Sequence, residues 1–281
     1  MKQTSFQEQV FFTTVRIVSS NANRNGSSIG TGFVVFVSNA QDKNGYLLLV
    51  SNKHVFIDKT HQIELVFTKR DETNRDLPAV GNLHIVQAAL QHPNYIEHPD
   101  PAVDLACFNI SAVTRPDINA YVRNLNPNMF LNDDDDISAG QEVWFVGYPE
   151  NRYDVAHNLP IVRRGYIASA PSLDFNGKRQ IVIDAQVHPG SSGSPVFATT
   201  NNQYKLIGVV TETMIKHSKL QSIPAANSLG VEQVLGLGIV LKVALVKELL
   251  ESAQLVLQSA STSSKPPRAT SQAEPGQNGG E

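Results

Sequence analysis

Apolar and β-branched residues gather in short runs along this chain, each cut off by Gly, Asn, Asp or Pro. Such runs read as strands, because β-branched and aromatic side chains suit a pleated surface and the breakers supply turns. In the first half the pattern predicts strands at Val10–Val18, Thr31–Val37, Tyr46–Val50, Ile63–Thr68, His84–Ala88 and Leu105–Asn109. In the second half it predicts Glu142–Gly147, Ile161–Ala168, Gln180–Asp184, Pro195–Ala198, Lys205–Thr211 and Gly238–Leu241. Asn25-Gly26, Asn44-Gly45 and Asn176-Gly177 mark tight turns. No long helical pattern separates the strands, which speaks against a parallel sheet with crossover helices. The pattern therefore predicts an all-β protein with about six strands in each half.

The period changes only near the end. From Lys242 to Gln258, apolar residues recur at Val243, Val246, Leu250, Ala253 and Leu257, the spacing of a helix with one buried face. Beyond it, residues 259–281 are polar, rich in Ser, Pro and Gly and without period, so a disordered tail is expected there. Within that tail, Lys265-Pro266-Pro267-Arg268 has the form of a weak polyproline ligand, although a solvated terminus explains it more simply. Between the halves, residues 115–140 are rich in Asn, Asp and Pro and read as a surface connector. The run Asp133–Asp136 reads as a solvated charge cluster, since a metal cage needs spaced ligands on a turning loop. The divisions expected are a first strand-rich half at about 10–114, a connector at 115–138, a second strand-rich half at 139–241 and a helix at 242–258.

Composition narrows the function classes. The 281 residues carry a net charge of −3, which argues against a basic nucleic-acid-binding face. Charged residues make up 17% and hydrophobic residues 41%, a balance that supports a folded core. No apolar run approaches the ~18 residues of a membrane span. Cys107 is the single cysteine, so no intrachain disulfide forms, and the N-terminal stretch lacks the apolar core of a secretory signal. These features predict a reducing, cytoplasmic setting.

Candidate chemistry lies in His188-Pro189-Gly190-Ser191-Ser192-Gly193-Ser194-Pro195. Alone, such a run reads as a linker. Its flanks, "QIVID" before and "PVFAT" after, make it a tight loop within a sheet. A nucleophilic serine needs a base and a group to orient that base. "LLLVSNKHV" places His54 directly after a strand, and "PAVDLACFNI" places Asp104 at the entry to another. The nucleophile-elbow pattern Gly-x-Ser-x-Gly does not fit, because the residue two after Ser192 is Ser194.

With these pieces together, the sequence resembles the trypsin-like, chymotrypsin-fold serine peptidases. Its style is nearest the bacterial, disulfide-free members, the HtrA protease domain and the glutamyl-endopeptidase group. "GTGFVV", "VSNKHV", "HPNYIEHPDPAVDLACF", "GQEVWFVGYP", "HPGSSGSPVF" and "KLIGVVTE" carry the likeness, over roughly residues 10–258. The resemblance implies two six-stranded antiparallel β-barrels with a C-terminal helix. It implies a serine endopeptidase with Ser192 as nucleophile, His54 as general base and acid, and Asp104 orienting the histidine. The backbone N–H groups of Gly190 and Ser192 would form the oxyanion hole. Thr211 falls where the family has a serine that supports the buried acid.

The likeness implies a specificity pocket near Gln186, Thr213 and Gly238. Gln186 stands where an acid would select Arg or Lys, and Val210 where glutamyl endopeptidases carry histidine. A neutral, small-to-medium side chain before the scissile bond is therefore expected, with His188 at the pocket rim. Ser191 replaces the aspartate that pairs with a newly cut N-terminus, so activity without propeptide cleavage is expected. Lys53 is expected to turn to solvent. No metal or cofactor is implied, and the partner is a protein or peptide substrate, with neither nucleic acid nor membrane; a regulatory partner is compatible with the sequence but no motif marks one. The competing reading is a protease-fold binding or scaffold protein with little turnover.

Overall fold

The computed structural model describes residues 5–20, 27–38, 45–56, 62–87, 94–221 and 228–263. The Asn25-Gly26 turn, Asn44, Ala88 and the tail motif Lys265–Arg268 lie outside the described residues. The first half contains β1 (Thr14–Ser20), β2 (Ser27–Ser38), β3 (Gly45–Ser51), β4 (Gln62–Arg70), β5 (Pro78–Gln87), β6 (Tyr95–Glu97), β7 (Ala106–Asn109) and β8 (Ala120–Tyr121). The second half contains β9 (Glu142–Gly147), β10 (Ile161–Ile167), β11 (Gln180–Asp184), β12 (Pro195–Thr200), β13 (Gln203–Gln221) and β14 (Ser228–Lys242). The helices are α1 (Phe6–Thr13), the one-turn α2 (Lys53–Phe56) and α3 (Val243–Ser263).

The second half is the expected six-stranded barrel, closed in the order β10-β11-β14-β13-β12-β9. The first half is the second antiparallel β unit of the expected double-barrel class. Its strands form one eight-stranded sheet along β5-β4-β1-β2-β3-β7-β6, with β8 added on β4, and no pairing between β5 and β6 closes the ring among the described residues. β6 has three residues and pairs only with β7 among the described residues.

Strand alternation sorts the core into layers. On β2, Val34 faces the interior of the first sheet with Ile17, Leu49, Phe56 and Leu65. Its neighbours Phe33 and Val35 face the other way, into a layer shared with Leu48, Trp144, Val146, Phe197 and Leu206. On β9, Val143 and Phe145 fill the closed barrel. Both faces of these strands are buried, so they read as continuous apolar runs rather than alternating ones. Helix α3 lays Val243, Val246, Leu250, Ala253 and Leu257 against the shared layer. Full burial of each such side chain contributes roughly 1.5–3 kcal/mol.

Three expectations need correction. Residues 10–13 are helical rather than extended. Ser5 and Glu8 form a capping box, with Ser5 Oγ accepting from Glu8 N–H and Glu8 Oε2 accepting from Ser5 N–H at 3.0 Å. That helix inserts Phe6 among Trp144, Phe197 and Tyr204. The connector is no mere surface strap: Leu125 bridges to Val35, and Phe130, fully buried, bridges to Leu206. Finally, α3 runs to Ser263, past the predicted end at Gln258. The aspartate run is largely exposed, and Asp135 turns back to accept from Asn132 N–H at 2.9 Å.

Candidate active site

Antiparallel pairing brings the histidine and the acid together. β3 and β7 are paired with Ser51 opposite Ala106, so the residues just past the end of β3 face those just before β7. Asn52 reinforces the junction, its Nδ2 donating to the Asp104 carbonyl at 2.8 Å. His54 sits on α2, and its Nδ1 lies 2.6 Å from Asp104 Oδ2. The His54 backbone N–H donates to the other carboxylate oxygen at 3.1 Å. A carboxylate can only accept, so Nδ1 carries the proton and Nε2 keeps its lone pair. Lys53, expected to point into solvent, instead donates its ammonium to the Pro101 carbonyl at 3.3 Å.

Burial by itself would raise the Asp104 pKa. The hydrogen bond and charge of the His54 ring, the His54 N–H and the Thr211 hydroxyl outweigh it and hold the carboxyl below its ordinary range. Thr211 is buried on β13 and touches both halves of the site. Its Oγ1 donates to Asp104 Oδ2 at 3.1 Å, and its carbonyl accepts from Ser192 Oγ at 3.2 Å.

The loop from His188 to Ser194 is held through its main chain. The His188 carbonyl accepts from Ser191 N–H, and the Ser191 carbonyl from Ser194 N–H, each at 3.0 Å. The Pro189 carbonyl accepts from Glu150 N–H at 2.6 Å, and the Ser192 carbonyl from Thr31 N–H at 2.9 Å. The Gly190 carbonyl accepts from Thr31 Oγ1 at 2.7 Å. In a trans peptide the N–H points opposite to the preceding C=O. Anchoring the Pro189 and Ser191 carbonyls therefore turns the Gly190 and Ser192 N–H groups the other way, and neither has an acceptor among the described residues. Gly190 is at φ +89° and Gly193 at φ +85°; a Cβ on Gly193 would stand 1.9 Å from the Thr31 carbonyl oxygen. Only glycine meets both demands.

Among the three serines, burial distinguishes one. Ser191 is 1% exposed and Ser194 fully buried, and both hydroxyls lack a hydrogen-bond partner among the described residues. Ser192 is partly exposed. Its hydroxyl is turned to the Thr211 carbonyl rather than to His54.

The residues expected at the specificity pocket are placed as follows. Gln186 is exposed. Thr213 Oγ1 donates to the Val187 carbonyl at 2.9 Å. Gly238 pairs with Ile183, and Val187 Cγ2 occupies the space where a Gly238 Cβ would stand, 2.4 Å from it. His188 Nδ1 lies 3.7 Å from Glu150 Oε1. Beside Asp104 opens a cleft of about 330 Å³, lined in part by Asp100, Ala102, Arg179, Thr211, Glu212 and Leu245. Sequence reasoning missed Thr31 and Glu150. Both act here through long-range contacts, which no local motif announces.

A closed β-barrel and a second β-sheet meet at Thr211, which bonds Asp104 through its hydroxyl and Ser192 through its carbonyl. The trypsin-like peptidase domain family matches residues 30–209, well over half of the chain. The chain belongs to that family, and by that membership it is a serine-type endopeptidase. Among curated proteins none matches this sequence. Among solved structures, the crystal structure of the serine endoprotease from Yersinia pestis is similar at 18% identity. That match covers 91% of this chain and 68% of the other, with a TM-score of 0.48.

Proposed function

We propose that this chain cleaves peptide bonds through an acyl-enzyme on Ser192. The observation that carries the reading is the His54–Asp104 bond of 2.6 Å, linked to the partly exposed Ser192 through Thr211, which donates to Asp104 at 3.1 Å and accepts from Ser192 Oγ at 3.2 Å. Ser192 Oγ first leaves the Thr211 carbonyl by rotation about χ1. As Oγ bonds to the substrate carbonyl carbon, Nε2 takes its proton and Asp104 stabilises the imidazolium. The N–H groups of Gly190 and Ser192 receive the oxyanion. Collapse returns the proton from His54 to the leaving amine, and water then releases the acyl group by the same route.

The substrate class follows from the pocket walls. The Thr213 hydroxyl donates to the Val187 carbonyl, and the Val187 side chain lies against Gly238, which supports a small group in this space. No ionised side chain stands at Gln186. A small, uncharged residue before the scissile bond fits this space. Ser191 offers no carboxylate to a new N-terminus, and the loop carbonyls are already anchored, which supports activity without propeptide cleavage. The buried thiol of Cys107 accords with a cytoplasmic setting.

The test is a peptide library varied before the scissile bond, run on the full-length chain and on Ser192→Ala. Cleavage after Ala or Val by the wild type alone is expected. Equal turnover by Ser192→Ala would remove the assignment of the nucleophile. A preference for Arg, Lys or Phe would remove the substrate class while leaving the mechanism.

A further inference from the structure

We propose that the side-chain hydroxyl of Thr31, on β2 of the first half, is a positioning group that sets the oxyanion hole of the second. The proposal rests on the reading of Gly190 and Ser192 as the oxyanion donors. Thr31 is fully buried. Its N–H donates to the Ser192 carbonyl at 2.9 Å and its carbonyl accepts from Ser51 Oγ at 2.6 Å, so its backbone is fixed from both sides. The hydroxyl makes two further bonds. It donates to the Gly190 carbonyl at 2.7 Å and accepts from Tyr148 N–H at 3.1 Å.

Those two bonds reach both supports of the Gly190 amide. The first fixes the peptide that follows Gly190. The second holds Tyr148 at the head of the turn Pro149–Asn151, and the next-but-one residue of that turn, Glu150, donates its N–H to the Pro189 carbonyl at 2.6 Å. The Pro189–Gly190 peptide plane decides whether the Gly190 N–H faces the substrate. One hydroxyl thus ties the loop and its supporting turn to a common point on the other half of the molecule. Tyr148 is itself enclosed, its hydroxyl donating to the Asn158 carbonyl at 3.0 Å, so the turn is a firm support. A group at this place must donate and accept through one atom, which among small side chains only a hydroxyl does. The β-branch of threonine adds a restricted χ1.

The position predicts a selective defect. Valine keeps the shape and the backbone bonds of Thr31 but removes both hydroxyl bonds. Loss of one oxyanion donor costs on the order of 10²–10³ in kcat. A donor that is loosened rather than removed is expected to cost roughly 10- to 100-fold for Thr31→Val, with KM within about twofold. Thr31→Ser, which restores the hydroxyl, is expected to keep kcat within about threefold of wild type. The measurement is kcat and KM on a peptide ending in a small residue before the scissile bond, with thermal melting run in parallel. An unchanged kcat in Thr31→Val, a loss carried by KM alone, or an equal loss in Thr31→Ser would overturn the proposal. If Thr31→Val does not fold, Thr31→Ser decides: near-wild-type kcat supports the hydroxyl, and a tenfold loss contradicts it. Ser192→Ala in the same assay separates the two levels. Activity that survives it defeats the reading of the site, whereas Ser192-dependent activity indifferent to Thr31→Val defeats this proposal alone.

Discussion

The two sides of the site are built from different materials. The base side, His54 and Asp104, is assembled from side chains: imidazole on carboxylate at 2.6 Å, and the Thr211 hydroxyl on the same carboxylate at 3.1 Å. The nucleophile side is assembled from main chain, with the carbonyls of residues 188–192 each held by a donor. The first sheet supplies His54 and Asp104, with Thr211 reaching them from β13 of the barrel, and the barrel supplies the nucleophile loop, two of whose carbonyls are held by Thr31 of the first sheet. Side-chain chemistry needs particular residue types at two strand ends. Main-chain chemistry needs peptide planes fixed in direction, which a closed barrel and a neighbouring strand provide. The base side should therefore fail when a functional group is swapped, and the nucleophile loop, beyond the Ser192 hydroxyl and the Thr31 hydroxyl that holds the loop, when its backbone is forced to turn.

The largest effect is expected on the base side. Asp104→Asn keeps the shape but presents an amide to Nδ1, favouring the wrong tautomer of His54. A fall of about 10⁴ in kcat is expected, as for the equivalent change in the Ser-His-Asp mechanism. Stopped assays at pH 7 to 8 with circular dichroism would check it; a loss below about tenfold would show that the acid has another role. Next comes the nucleophile side. In Gly190→Ala the new Cβ would meet the Tyr148 carbonyl oxygen at 2.3 Å in a backbone with φ +89°. The peptide must turn, with an expected loss of about 10²–10³ in kcat and a stability cost of about 1–3 kcal/mol. An unchanged rate would show that this amide is not used.

Thr211→Val sharpens the comparison, because it removes a side-chain bond and leaves the carbonyl that holds Ser192. A loss of roughly 10- to 100-fold is expected from one bond to a charged group, at about 1.5–3 kcal/mol. The acid limb of stability should change with it. Asp104 lies below its ordinary pKa when folded, so its contribution is present above the unfolded value of about 3.9 and is lost as pH falls through the folded one. Removing the Thr211 hydroxyl should move that loss to higher pH in urea titrations.

The smallest effect concerns His98, whose side chain is enclosed with Nε2 3.4 Å from Glu248 Oε2. Burial lowers its pKa, against the charge of Glu248, with Arg179 adding to the lowering; the Asp100 N–H donated to Nδ1 occupies a lone pair of the neutral ring. The unfolded chain takes up the proton below about pH 6.5 while the folded chain resists. Stability should then decline as pH falls from about 6.5 through the lower folded value. His98→Asn, which keeps an acceptor for the Asp100 N–H, should flatten the decline between pH 7 and 5. An identical slope would assign it to other groups.

The same division explains what the chain disclosed before its structure. His54, Asp104 and Ser192 announce themselves by residue type at strand ends, and the α3 stripe by its period. The capping box of α1 was also present in Ser5-Phe6-Gln7-Glu8, but the apolar run that follows has the look of a strand. Other features depend on contacts between residues far apart in the chain. Leu125 and Phe130 look like loop residues until the layer that buries them exists. Thr31 reads as one strand residue among many, and the direction of the Pro189 and Gly190 carbonyls is set by Glu150 and Thr31, which no local pattern reveals.

The most direct test of the account is the site of covalent capture. Full-length protein treated with a fluorophosphonate and digested with trypsin yields a peptide spanning Gln180–Lys205, which contains Ser191, Ser192 and Ser194. Fragmentation by mass spectrometry should place the adduct on Ser192, with none in Ser192→Ala. An adduct on Ser191 or Ser194, or one that persists in Ser192→Ala, would contradict it.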